Sequence, residues 1–190
     1  MQLAEPNSLT MSNQTDAATP RLFALMLGGR APGCHIELHD VVFAVGESFE
    51  SLKPALRGLW FGDQEQVHVD AWTELSQVDG YQVQLTREVP GAGARLWFIN
   101  IGGYQPGEFA EQHAYAFIGA NSKTEVKQQA KGRLLPGREE WHKDDLFDID
   151  DCLSIDQVDG WHVALVADER AGAPVVNNGY FPLPRTRRAE

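Results

Sequence analysis

This sequence has few basic residues and no long apolar run, and each shortage excludes a class of protein. Lys and Arg number 16 against 27 Asp and Glu, so the net charge is −11. Nucleic acid is not expected as a partner, because binding phosphates requires clustered basic residues. No apolar stretch reaches the roughly 18 residues of a membrane helix, and residues 1–20 lack the apolar core of a secretory signal. We therefore expect a cytoplasmic protein outside the membrane.

Signatures of known chemistry are also scarce. The two cysteines, Cys34 and Cys152, form no Cys-x-x-Cys pair, which favours two free thiols in a reducing compartment. No strong catalytic motif is present, so the sequence leaves open whether the protein is an enzyme. Residues 1–20 are polar and are predicted to be a disordered tail, within which Met11 is a second candidate start.

The most informative feature that is present is an internal repeat. Gly-Gly-Arg-Ala-Pro-Gly at 28–33 returns as Gly-Gly-Tyr-Gln-Pro-Gly at 102–107, an offset of 74. Gln-Val-Asp-Gly at 77–80 returns unchanged at 157–160, an offset of 80, so the second copy contains a six-residue insertion. A self-match of this length indicates a duplicated architecture.

The same periodicity recurs in each copy and predicts the fold. Apolar positions indicate strand, strand, helix, strand and strand, with Asp79-Gly80 and Asp159-Gly160 as the tight turns between the last two strands. One such unit could not bury both faces of its sheet. We predict an α+β fold with two tandem ββαββ repeats, 21–88 and 95–168, forming one pseudo-twofold body. Residues 169–190 are predicted to be a C-terminal loop and tail.

A polar strand face is kept in both copies. Glu37 and His39 correspond to Glu111 and His113, and residues two apart on a strand share a face. The opposite, apolar face differs between the copies. A carboxylate beside an imidazole suits a divalent metal (Zn, Mn or Fe), an acid–base pair or a ligand contact. The competing interpretation is a structural pair in which the carboxylate accepts the imidazole N–H.

A second pair, His68 and Asp70, extends the candidate site. It aligns with residues 142 and 144 at the offset of 74, but with residues 148 and 150 at the offset of 80. The second alignment runs without a gap and is preferred for the strand. The candidate metal ligands are Glu37, His39, Glu111, His113, His142 and Asp150.

Several strings taken together resemble a bacterial family catalogued as a domain of unknown function, number 1543. The resemblance covers about Arg21 to Leu165 and implies one or two copies of the domain, a cytoplasmic protein and no assigned chemistry. It rests on Leu-Gly-Gly-Arg-Ala-Pro-Gly at 27–33, Glu-Leu-His-Asp at 37–40, Gly-Gly-Tyr-x-Pro-Gly-Glu-Phe at 102–109, His-Lys-Asp-Asp-Leu at 142–146, Asp-Asp-Cys-Leu at 150–153 and Val-Asp-Gly at 158–160.

The leading hypothesis is a module that binds a small molecule or a metal ion through Glu37, His39, Glu111 and His113. One alternative is a metal-dependent hydrolase with Glu and His ligands and an Asp as base. Another is a structural or protein-interaction module in which duplication completes a core. Convergence of the four side chains on one pocket would favour the first two, and histidines capped by backbone carbonyls would favour the third. A homo-oligomer is compatible with all three.

Overall fold

A computed structural model describes residues 19–104, 107–134 and 147–184 of the chain. The first half contains, in order, β1 (Arg21–Gly29), β2 (Leu38–Gly46), α1 (Phe49–Leu56), β3 (His68–Glu74), β4 (Gln77–Val78) and β5 (Tyr81–Thr86). The second half contains β6 (Arg95–Gly103), β7 (Gln112–Ala120), α2 (Lys123–Leu134), β8 (Phe147–Ser154), β9 (Gln157–Val158), β10 (Trp161–Ala167) and β11 (Asn177–Pro182). The predicted tail (residues 1–18) and His142 lie outside the described residues.

The strands form three antiparallel sheets, so the α+β fold class is confirmed. The first sheet has the order β11-β3-β1-β2, and the second sheet has the order β7-β6-β8. The third, β4-β5-β10-β9, takes strands from both halves and is called the shared sheet. The equivalent strands of the two halves therefore lie in equivalent places, apart from β11.

Two details of the predicted repeat were wrong. The Asp79-Gly80 turn joins β5 to the two-residue strand β4, whereas β3 pairs with β1 in another sheet. The segment 169–190 was predicted to be loop, yet β11 adds a strand beside β3. An outer strand forms there because the unpaired backbone groups at the edge of β3 accept another strand at little cost.

The pairing of β5 with β10 is symmetric between the halves. Gln84 pairs with Ala164, its counterpart 80 residues later, and Val83 pairs with Leu165 while Leu85 pairs with Val163. Exchanging the two halves therefore leaves the register unchanged.

The two turns beside these strands differ in one respect. Gly80 and Gly160 have φ of 81° and 74°, as expected for Gly after Asp. Asp159 also has a positive φ of 50°, but Asp79 is not among the described residues with positive φ. Positive φ at both central positions, the geometry that an Asp-Gly hairpin turn favours, is thus present only in the second of these two turns.

Alternation along β1 divides the core into layers. Phe23, Leu25 and Leu27 pack with α1, whereas Leu22 and Ala24 pack on the other face toward the second and shared sheets. A separate cluster joins β6 and β7 to α2. Each fully buried Leu of β1 contributes about 1.5–3 kcal/mol of transfer free energy. Because its buried residues pack on both faces, β1 is the central strand of the hydrophobic core in the first half.

Arg57, just after α1, holds the C-terminal segment in place. Its buried guanidinium donates to the carbonyl oxygens of Leu183 and Pro184, both at 2.7 Å, and to that of Gln64. A buried charge must be hydrogen-bonded, and three of the five guanidinium N–H groups donate to these carbonyls. The contact fastens the end of β11 against the helical layer.

Neither helix in the described part of the chain is long and apolar enough to cross a membrane.

Candidate functional site

Two histidines of the first half lie opposite the same glycine. Gly28, near the end of β1, pairs with His39 on β2 and with His68 on β3. Leu25 and Leu27 point toward α1, so Gly28 belongs to the face turned away from the helix. The two imidazoles therefore come from neighbouring strands to one point on that face.

A β-bulge adds a carboxylate to this point. Strand pairing passes from Ala71 opposite Met26 to Val69 opposite Leu27, which leaves Asp70 as the extra residue. Bulges bend a strand and redirect a side chain, and they occur often beside functional sites. Here the bulge turns Asp70 over the central strand.

Gly28 is required because two side chains lie directly over its α-carbon. A Cβ at this position would lie 2.3 Å from Asp70 Oδ2 and 2.8 Å from His68 Nε2. No larger residue fits without displacing one of these groups. The Gly-Gly string of the repeat is thus part of the site as well as the start of a turn.

The side chains form what we call the carboxylate–imidazole chain, made of Glu37, His68, Asp70 and His39. His68 Nε2 lies 3.3 Å from Glu37 Oε1 and 3.0 Å from Asp70 Oδ1. Asp70 Oδ2 lies 3.1 Å from His39 Nε2. That approach lacks the geometry of a hydrogen bond, so Oδ2 is buried with no hydrogen-bond partner.

The members of the carboxylate–imidazole chain differ in their exposure to solvent. The side chain of His68 is 8% exposed, whereas those of Glu37 and His39 are 44% and 48% exposed. Tyr180 of β11 covers His68, with ring centroids 4.5 Å apart. Because residues 169–190 were predicted to be loop, sequence reasoning missed Tyr180. The aromatic and β-branched residues around 175–181 were the signal for a strand.

Within the first half, the predicted Glu37–His39 pair is replaced by other pairs of a carboxylate and an imidazole. Glu37 lies just before β2 instead of inside it, and it contacts His68 rather than His39. His68 and Asp70, the extension of the predicted site, are its central members. The described contacts of these histidines are to side-chain carboxylates and not to backbone carbonyls. Such contacts fit both a binding site and the structural carboxylate–imidazole pair.

The second half presents a reduced version of the same arrangement. Gly102 pairs with His113 and with Asp148, so the register follows the preferred offset of 80. His113 Nδ1 lies 3.2 Å from Asn100 Oδ1, and its Nε2 lies 3.9 Å from Glu111 Oε2. Asp150 is the extra residue of the corresponding bulge on β8, and only its backbone position is described.

The metal hypothesis finds less support in the described residues. Within them, no three side chains of His, Cys, Asp or Glu surround a common point as metal ligands do. The carboxylate–imidazole chain is linear, each group touching the next. Burial raises the pKa of the Cys152 thiol, against the opposing effect of Lys123 and Lys127, so a reactive thiolate is disfavoured.

An apolar cleft of about 470 Å³ lies between the first and second sheets. Met26, Val41 and Ala71 line it from the first half, and Phe98 and Tyr115 line it from the second. Its volume falls within the range of small-molecule sites.

Comparison with known proteins relates the chain to a family and to a solved structure. The profile of the family described as Domain of Unknown Function (DUF1543) matches residues 34–85 and 108–165. A crystal structure of a protein Il1583 from Idiomarina loihiensis is similar at 37% sequence identity and a TM-score of 0.68, covering 88% of this chain and 100% of that one. No protein of curated function matches the sequence.

Proposed function

The chain belongs to the DUF1543 family, whose description assigns no activity, and from the site geometry we propose that it binds a small cationic molecule rich in N–H donors. The binding site is the carboxylate–imidazole chain of the first half. The exposed side chains of Glu37 and His39 form its entrance, and the buried side chain of His68 forms its floor.

A shortage of hydrogen-bond donors is the observation that supports this proposal. Glu37 and Asp70 both face one atom, His68 Nε2, which can donate at most one hydrogen bond. Each carboxylate offers several acceptor positions, so at least one of the two receives no hydrogen bond from His68, and Asp70 Oδ2 is buried without a hydrogen-bond partner. An ammonium or guanidinium group supplies several donors and the complementary charge.

Isothermal titration calorimetry with n-butylamine and methylguanidine at pH 7.5 tests the proposal. We expect both cations to bind, and Asp70→Asn to weaken binding by about 10- to 100-fold, since a charge-assisted hydrogen bond contributes roughly 1.5–3 kcal/mol. Glu37→Gln should weaken it as well. The matched control is Glu111→Gln at the equivalent position of the second half, which should leave the affinity unchanged.

The proposal fails if neither cation binds, or if Asp70→Asn and Glu111→Gln have the same affinity as the wild type.

A divalent metal is the second candidate, because two imidazoles and two carboxylates are common ligands of Zn²⁺ and Mn²⁺. Neighbouring atoms of the carboxylate–imidazole chain are 3.0–3.3 Å apart, close to the spacing of adjacent ligands in a metal shell. Binding would need the side chains to rotate toward one point. Added Zn²⁺ or Mn²⁺ should then raise the melting temperature of the wild type but not that of His39→Ala. The metal-dependent hydrolase hypothesis requires this result, because it needs a bound metal.

The finer architecture is also part of this proposal. The symmetric register of β5 and β10 and the equal bulges at Asp70 and Asp150 support two copies of one unit related by a pseudo-twofold axis. Such a duplication lets one copy specialise as the binding site while the other completes the body.

A further inference from the structure

We infer that the apolar cleft between the first and second sheets receives the hydrophobic part of the same ligand, which is therefore an amine with an apolar body. This inference rests on the proposed function. It adds the chemical class of the ligand, and it assigns a binding role to the second half.

The cleft begins where the carboxylate–imidazole chain ends. On the first sheet, Val41, Met26 and Ala71 lie side by side and line the cleft. The next positions on the same face are His39 and Gly28, two residues along β2 and β1. Two residues of a strand span about 7 Å, so an amine at the polar site can carry its apolar group directly into the cleft.

The opposite wall comes from the second half. Phe98 and Tyr115 stack with their ring centroids 6.0 Å apart, and both line the cleft. Ala24 occupies the position equivalent to Phe98 in the first half. The aliphatic side chains of Val41, Met26 and Ala71 on one side and these aromatic rings on the other leave a slot of the kind that holds a flat or extended apolar group.

The charge around the site selects the head group. Glu37 and Asp70 favour a cation, and the net charge of −11 disfavours carboxylate and phosphate ligands of similar shape. Among the described residues, those that line the cleft include no basic side chain that would offset this preference. The geometry thus points to alkyl- or arylalkylamines rather than to fatty acids or nucleotides.

Titration with n-alkylamines of four to eight carbons tests the inference, with the n-alcohols of the same lengths as controls. We expect affinity to rise about fourfold per added methylene in the wild type, the gain for each buried CH₂ group. The alcohols should bind much more weakly at every length, because they carry no charge for Glu37 and Asp70.

Two variants away from the carboxylate–imidazole chain locate the apolar contact. Ala71→Leu narrows the cleft and should remove the dependence on chain length while butylamine still binds. Tyr115→Ala removes a half-exposed aromatic ring from the wall that the second half contributes to the cleft. It should weaken the binding of octylamine by about fivefold or more, with little effect on the binding of butylamine. Val89→Leu, at an exposed position between the halves, is the control for added volume.

The outcomes separate the inference from the proposed function. If the amines bind with an affinity that does not depend on length, or if Ala71→Leu retains the full dependence, the cleft is not the apolar site, and the cation site stands alone. If no amine binds at any length, both are overturned. Circular dichroism of each variant confirms that the fold is kept.

Discussion

The surroundings of the glycine pairs differ between the two halves, although the strands that carry them are equivalent. In the first half, Gly28 faces His68, which is buried beneath Tyr180 of β11. In the second half, Gly102 pairs with Asp148 of β8, which is an edge strand of its sheet in the described part of the chain. One additional strand therefore distinguishes a covered polar cluster from an open one.

This difference underlies the proposal that the first half carries the binding site. Both halves keep the Glu-x-His string, which begins just before the second strand, and the bulge on the third strand. Within the described residues, only the first half combines a histidine on the third strand with a covering strand and the Arg57 contacts that hold it. Buried polar groups interact more strongly than exposed ones, and for this reason the proposed binding site is placed in the covered copy.

The largest expected effect comes from releasing the covering strand. Arg57→Met leaves the carbonyls of Gln64, Leu183 and Pro184 without their buried donor, and we expect a loss of about 3 kcal/mol in the free energy of unfolding. His68 should also become reactive toward diethyl pyrocarbonate. Urea unfolding and mass spectrometry of the modified histidines measure the two effects.

The exposed Arg21, paired with Glu74, provides the control for this prediction. Arg21→Met should change stability by less than about 0.5 kcal/mol. Equal losses in the two variants would show that β11 is not anchored by Arg57.

Removing each histidine tests the comparison directly. His68→Ala leaves Glu37 and Asp70 facing each other without the imidazole, and should cost about 1–3 kcal/mol in unfolding free energy. His113→Ala, on the open side, should cost less than about 0.5 kcal/mol, because its side chain is 38% exposed. Matching losses in thermal unfolding would mean that the two clusters are equally important to the fold.

The two Asp-Gly turns should respond alike to substitution. The turn is present in both halves, and its repetition does not involve the covering strand β11. Gly80→Val and Gly160→Val each force a β-branched residue into a positive φ, at a cost of about 1–3 kcal/mol. Gly91→Val, in the link between the halves where nothing lies within 4 Å of a new Cβ, should be nearly neutral. A melting temperature unchanged by either turn substitution would contradict the turn geometry.

The smallest expected effect is a pH dependence at Asp168, which bonds across the halves to Gln82. The backbone N–H of Arg170, and then the Gln82 amide, hold the pKa of Asp168 below its ordinary value. Its stabilising contribution is therefore present above the ordinary Asp pKa of about 3.9 and is lost as pH falls through the lower folded-state pKa.

Melting curves between pH 2 and 6 test this contribution. Asp168→Asn should flatten the acid side of the stability profile, whereas Glu88→Gln, at the position 80 residues earlier, should leave the profile as it is. Profiles of the same shape for Asp168→Asn and the wild type would exclude a role for this carboxylate.

Much of the local structure could be predicted from the sequence because it depends on neighbouring residues. Asp-Gly dipeptides favour a turn wherever they occur, and the alternation of apolar residues marks β1 and β6 without knowledge of their partners. The family was likewise recognisable from short strings. The shared face of Glu37 and His39 followed from strand periodicity, but their direct pairing did not occur, since Glu37 lies before β2.

The sequence by itself determined the duplication, the α+β class and the residue types of the polar face. The tertiary structure decided which of these residues meet. Asp70 reaches Gly28 only through a bulge, and Glu37 meets His68 only because β2 and β3 flank the same strand. Partners 31 residues apart depend on register, and β11 depends on an edge that its own sequence cannot reveal, because strand pairing is a property of the assembled sheet.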